Sequence, residues 1–210
     1  MDPSEKLLAW YADLRFGDLP AEAVEASRTF IIDTIGCALA GSSAPLNAEL
    51  VERHLRWGGA PEATVLVYGN RLPAAAAALL NAAMIHSNDY DDTHDPTAIH
   101  VFVTLLPAML AAAESLGRPT SGKDFIAALA GAAEVTIRLG NSVRDHIHAG
   151  WLPTTIFGAI GAAAGAAKIT GLGESGVLDA AGLGYAQTHG NRRALLDATL
   201  AKRLQPAFSA

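Results

Sequence analysis

The chain has 210 residues, half of them hydrophobic, which is enough to bury a substantial core and too apolar for a disordered chain. Fifteen lysines and arginines against 21 aspartates and glutamates leave a net charge of −6, which argues against a nucleic-acid binder with its basic face or stripe. Cys37 is the single cysteine, so an internal disulfide, a four-cysteine zinc site and the thiolates of an iron–sulfur cluster are all excluded.

Asp2 and Pro3 read as the N-cap and first residue of a helix whose apolar face carries Leu7, Leu8, Tyr11 and Leu14. Residues 17–20, Gly-Asp-Leu-Pro, break that helix and start a second. Its apolar side is expected to hold Val24, Phe30, Ile31, Ile35 and Leu39, ending at Gly41. A third helix is predicted over residues 45–57, stopped by Gly58 and Gly59. Residues 64–68 are short, β-branched and closed by Gly69 and Asn70, the one convincing strand signal. Pro73 opens an Ala-rich helix to about residue 86, and the polar residues 87–96 read as a loop. Helices are then predicted over residues 101–116 with a kink at Pro107, from the 120–124 cap to about 139, over 154–170 and over 175–189. No repeat and no low-complexity linker interrupts them. The pattern is all-α: an Ala/Gly-rich multi-helix domain over residues 1–210.

The longest weakly polar run, residues 155–167, is shorter than the about 20 residues that span a bilayer. Residues 1–5 have neither the basic nor the apolar region of a signal peptide, so a cytoplasmic protein with no membrane partner is expected. Ala-rich helices pack closely, and their exposed faces often meet another subunit, so an oligomer is expected.

The chemistry concentrates between residues 86 and 100, where His86, His94 and His100 alternate with Asp89, Asp91, Asp92 and Asp95 between two apolar helices. A carboxylate beside an imidazole fixes its tautomer and raises its basicity, which proton transfer needs. The plainer alternative is a solvated acidic loop that caps helices. A second cluster, Arg144, Asp145, His146 and His148, places both imidazoles on one side of a turn, or is simply solvated. Lys202 and Arg203 offer two cations for an anionic substrate, or a solvated end of the chain. A remote alternative is a metal-dependent phosphohydrolase, because His54, His94-Asp95 and Asp145 follow the ligand order of all-α members of that class.

Asp89-Tyr90-Asp91-Asp92-Thr93-His94, followed by His100 and Thr104-Leu105-Leu106-Pro107-Ala108, resembles the MmgE/PrpD family. That family includes 2-methylcitrate dehydratase, cis-aconitate decarboxylase and iminodisuccinate epimerase. Residues 33–41, the Gly/Ala stretch 158–164 and Lys202-Arg203-Leu204-Gln205-Pro206-Ala207-Phe208 are similar to further family segments, in the same order along the whole chain. The resemblance implies a helical domain, an α+β lid, a homodimer, and no metal or organic cofactor. It also implies that this chain is the N-terminal portion, with the lid and the returning helical segment absent or supplied by a separate chain.

Family members share proton loss next to a carboxylate, which builds an enediolate-like charge. By motif match Asp89 and Thr93 shape the site, His100 is the acid–base group, and Lys202 holds a substrate carboxylate or serves as a second acid. Asp92, His94, Arg203 and Gln205 are expected to contact the substrate, and no metal ligand is assigned. The implied function is a lyase on a small-molecule di- or tricarboxylate, 2-methylcitrate dehydratase-like. The alternatives are an epimerase or isomerase of the same family, or a catalytically incomplete helical interaction module. Two positions depart from the family pattern. Leu152 stands in Gly150-Trp151-Leu152-Pro153-Thr154 where many members have histidine, with His146 or His148 as candidates to replace it, and Ala207 stands where they have glycine.

Overall fold

The first helix, α1 (Pro3–Asp13), begins where the sequence places it. The Asp2 carboxylate accepts from the Ser4 and Glu5 amides while the Glu5 carboxylate accepts from the Asp2 amide, satisfying donors the first turn leaves free. The computed structural model describes residues 2–147 and 150–210. Among these the chain is all-α, with one short hairpin. After α1 come α2 (Ala21–Gly41), α3 (Asn47–Trp57), β1 (Ala63–Thr64), β2 (Arg71–Leu72), α4 (Ala74–Ile85) and α5 (Phe102–Ser115). They are followed by α6 (Gly122–Ser142), α7 (Pro153–Thr170), α8 (Gly173–Ala186), α9 (Arg193–Leu196) and α10 (Ala201–Ser209). The last two were not expected: α9 is a single turn, and α10 carries Pro206 within its span, which reads as a break.

The predicted strand over residues 64–68 does not form. β1 and β2 pair antiparallel through two residues each, and the chain turns between them with Val67 at φ 67°. The Val65 amide still donates to the Asn70 carbonyl across the hairpin at 2.8 Å, and side chains satisfy further backbone groups. Asn81 of α4 accepts from the Leu66 amide and donates to the Thr64 carbonyl, and Glu114 of α5 accepts from the Thr64 amide.

The apolar side expected for α2 is corrected in part, since Val24 is buried and Ile31 packs against the core as expected. Val24, Ser27, Thr34, Cys37, Ala38 and Gly41 are buried, whereas Phe30, Ile35 and Leu39 are exposed. Small size decides this. A Cβ on Gly41 would lie 1.9 Å from the Met84 carbonyl oxygen, so only glycine permits that approach of α2 to the end of α4. The Ser27 and Thr34 hydroxyls donate to carbonyls one turn back, which lets them be buried without loss. Burial, helped by Asp33, pushes the Cys37 thiol up to about 11, an inert core thiol.

Two apolar clusters meet along α5. One, around Leu105, Met109, Leu129 and Val135, joins α1, α5, α6, α7 and α8. The other, around Val65, Leu80, Met84 and Val103, joins α2, α3, α4, the hairpin and α10. α7 reaches α6 closely because a Cβ on Gly161 would strike the Thr136 hydroxyl at 2.0 Å. The loop between α4 and α5 thus lies across the junction of the two clusters, under α10. No helix among the described residues is long and apolar enough to cross a membrane.

Candidate active site

α4 runs into a 3₁₀ turn, His86–Asn88, that ends with Asp89 in the left-handed region at φ 58° and ψ 34°. Aspartate tolerates that conformation better than most residues. The reversal returns the Asp89 carboxylate to His86. Asp92 then accepts from the Val101 and Phe102 amides at 3.0 and 2.9 Å, capping α5 from upstream. The His94 amide donates to the Ile99 carbonyl at 2.8 Å, and His94 Nδ1 meets the Thr97 hydroxyl at 2.7 Å, closing the intervening loop. His100, one residue before the capped turn, donates its amide to the Thr154 hydroxyl at the start of α7, 3.0 Å away. Its backbone is therefore held from two sides.

Asp91 lies beneath both imidazoles, its side chain fully buried. His86 Nδ1 sits 3.0 and 2.9 Å from the two Asp91 oxygens. His100 Nδ1 sits 3.2 Å from Asp91 Oδ2, out of line for a hydrogen bond but close enough for strong electrostatic coupling. An ionised carboxylate only accepts, so Nδ1 of His86 carries hydrogen and its Nε2 is left as the basic nitrogen. The two rings pack edge to face at 4.8 Å. Lys202 reaches over from α10 and donates to Asp89 Oδ1.

The charges follow from this arrangement. Burial alone would raise Asp91, but the His100 and His86 imidazoles hold it well below the usual carboxylate range. Burial alone would lower His100, but the Asp91 carboxylate outweighs burial and the opposing charge of Lys202, and raises it. Burial would likewise raise Asp89, and Lys202 brings it below its ordinary value. Asp92 is pushed up to about 6 by burial, with the neighbouring Asp91 charge adding to the rise.

The cluster forms one wall of a cleft of about 320 Å³. Ile147, Trp151 and Leu152 give it an apolar side, and Arg144 and Arg192 join Lys202 as cations around it. Of the residues singled out from the sequence, Asp89, His100 and Lys202 are brought together here. Thr93 is exposed and does not line the cleft, and Asp92 is committed to backbone amides. His94 is held within its own loop. Arg203 is buried and donates to the Pro45 carbonyl at 2.8 Å, and Gln205 clasps the Asn191 backbone at 2.9 and 3.1 Å. Leu152 lines the cleft and His146, exposed, does not, while His148 falls outside the described residues. The phosphohydrolase arrangement does not assemble: among the described residues the group with metal-ligand spacing is His86, Asp89, Asp91 and His100, which includes none of His54, His94, Asp95 and Asp145.

Sequence reasoning gave no role to His86 or Asp91, read Arg144 only as part of a cluster around two histidines, and did not name Arg192. His86 and Asp91 stood in the right segment, but the motif match put Asp89 and Asp92 ahead of Asp91, and no local signal tells which of the four aspartates is buried. Arg192 lies far along the chain and reaches the cleft where its amide donates to the Gly150 carbonyl at 2.8 Å, beside a bridge between Trp151 and Asn191.

Comparison with known proteins gives a consistent picture. The model of the MmgE/PrpD N-terminal domain matches residues 5–210. A cis-aconitate decarboxylase-like protein of Aspergillus oryzae is 31% identical over 212 residues, covering 98% of this chain and 44% of that protein. A cis-aconitate decarboxylase of Aspergillus terreus is 30% identical over 99% of this chain and 43% of its own length. The Homo sapiens cis-aconitate decarboxylase is 32% identical over 168 residues, 76% of this chain and 34% of its own length. The chain thus spans less than half the length of each.

Proposed function

The chain belongs to the MmgE/PrpD family, and from that premise we propose that it carries the acid–base half of a lyase acting on a di- or tricarboxylate. The observation that carries the reading is the convergence of His100 Nε2 and the Lys202 ammonium on one oxygen of Asp89 at the cleft wall, with Asp91 buried behind the ring. In this reading Lys202, Arg144 and Arg192 hold substrate carboxylates. His100 exchanges a proton with the carbon beside one of them, and the cations stabilise the negative charge that builds on the enediolate.

Three outcomes use that machinery. In dehydration, neutral His100 takes the proton while the Lys202 ammonium protonates the hydroxyl on the adjacent carbon, which leaves as water. In decarboxylation, the bond to a carboxylate breaks, the electron pair left on the substrate is protonated by His100, and carbon dioxide departs. In epimerisation His100 takes the proton from one face and a second acid, Lys202 in this reading, delivers one to the other face. The names of the relatives favour decarboxylation, with 2-methylcitrate dehydratase-like chemistry second. Working cytoplasmic partners are a second copy of the chain or a chain that supplies the lid, to which the exposed apolar residues Ile32, Leu39, Leu183 and Tyr185 lend support.

The test is proton NMR in D₂O with cis-aconitate, methylcitrate, citrate and iminodisuccinate in turn. Catalysed loss of an α-proton signal or formation of product, reduced about 10²–10⁴-fold by His100→Ala, is the expected result. A folded chain without turnover, or turnover indifferent to His100→Ala, would contradict the reading.

A further inference from the structure

Two imidazole nitrogens and one carboxylate oxygen face each other at the cleft wall without bonding. His86 Nε2 lies 3.7 Å and His100 Nε2 3.8 Å from Asp89 Oδ1, beyond hydrogen-bond range. Ligand atoms held about 2.0–2.2 Å from one zinc-like ion, at tetrahedral or slightly wider angles, are spaced roughly 3.3–3.8 Å apart. The separations are those of ligands around a shared cation.

A second observation concerns the backs of the rings. Both Nδ1 atoms lie beside the buried Asp91 carboxylate, His86 hydrogen-bonded to it at 2.9 Å and His100 in electrostatic contact at 3.2 Å without a hydrogen bond. A carboxylate behind a histidine is the arrangement that orients metal-ligating imidazoles and makes their outer nitrogens more basic. The four residues together offer ligand atoms that all lie within 4.8 Å of one another. A positive charge already competes for this oxygen, because the Lys202 ammonium bonds the same Asp89 oxygen that faces both rings.

We propose that this wall is a binding site for one divalent first-row transition ion of the zinc kind, taken by His86 Nε2, His100 Nε2 and Asp89 in competition with Lys202. Imidazole and carboxylate suit such ions. The ion engages the lone pair of His100 Nε2 and so shuts off proton transfer. Only this last consequence rests on the acid–base reading; the binding site rests on the geometry alone.

The test titrates the 210-residue chain with Co²⁺, followed by its visible absorption bands, and with Zn²⁺, followed by calorimetry. One ion per chain is expected. Asp89→Asn, at a half-exposed position that leaves the core intact, weakens binding about tenfold or more, and His86→Ala does the same. Lys202→Met tightens it about tenfold or more, because a competing unit charge is removed. His54→Ala, on α3, leaves it unchanged. Absence of binding at millimolar ion, binding indifferent to Asp89→Asn, or weaker binding in Lys202→Met would overturn the site. Turnover is followed in separate samples: inhibition in step with ion occupancy supports the shut-off, and turnover that persists at full occupancy overturns it. A chain that binds the ion but turns over none of the substrates leaves the site standing and counts against the proposed reaction instead.

Discussion

Residues 86–100 and residues 144–152 both bring histidine, aspartate or arginine to the same cleft, yet they are built differently. The first segment is tied to α5 through Asp92, to α7 through the His100 amide and to α10 through Lys202. Its Asp91 is fully buried under two imidazoles. In the second, Asp145 and His146 are exposed, and among the described residues the Asp145 carboxylate pairs with its neighbour Arg144 alone, at 3.5 Å. Residue types are therefore a poor guide to chemistry until burial is known. Away from water a carboxylate acts strongly on the ring beside it, while in solvent the same pair is screened. The second segment serves the cleft in another way, with an apolar wall from Trp151 and Leu152 and a cation from Arg144.

The sharpest contrast sets Asp91 against Asp145. Asp91→Ala removes the partner of two buried imidazoles and is expected to destabilise the chain by about 3–5 kcal/mol in chemical unfolding. Asp145→Ala should stay within about 0.5 kcal/mol of the parent. Similar losses in the two variants would dissolve the distinction between the segments.

The next effect in size concerns Asp92, whose buried carboxylate rises from 3.8 to about 6 in the folded chain. The folded state therefore holds this proton more tightly than the unfolded state does. The resulting stability is fully present below pH 3.8 and is lost as pH rises to about 6. Asp92→Asn removes the titration, so between pH 4 and 6 the thermal midpoint of the parent should fall relative to the variant by an amount worth about 1–3 kcal/mol. Parallel midpoint curves would show that Asp92 titrates at its ordinary value.

Leu152→His makes the second segment resemble the first in composition. Turnover in the D₂O assay should change by about tenfold at most, because among the described residues the buried carboxylate, Asp91, is already taken by His86 and His100. A change of several orders of magnitude would mean that burial matters less than the ring itself. The smallest effect belongs to His146→Ala, at an exposed position outside the cleft lining, where turnover and stability should stay within about 0.5 kcal/mol of the parent.

Much of this molecule was legible in its sequence, for reasons that are local. The Asp2 cap, the glycine stops after Trp57 and Thr170 and the Ser121 cap act within a few residues, so α1, α3, α6 and α7 fall close to where they are read. The α2 face was misread because hydrophobicity was used where fit decides: Thr34, Ala38 and Gly41 face the core because they are small. Residues 64–68 have strand composition, but the Thr64 and Leu66 backbone groups are taken by Asn81 and Glu114, which no local pattern announces. The polar segment was found by its histidine density, and His100, Asp89 and Lys202 do converge. Separating Asp91, which takes the imidazoles, from Asp92, which takes the backbone, required the three-dimensional course of the loop. Adjacent residues of one type point into different environments there.

The central claim is that buried Asp91 sets the state of both imidazoles, leaving each Nε2 to face Asp89 and the cleft. Long-range proton–nitrogen NMR on the ¹⁵N-histidine-labelled chain, at a pH where the rings are neutral, reads this directly, because it distinguishes which ring nitrogen carries hydrogen. The expected result is the Nδ1–H form for both His86 and His100. Finding hydrogen on Nε2 of either ring would contradict the account, since that nitrogen would then be unable to take a proton or a metal ion.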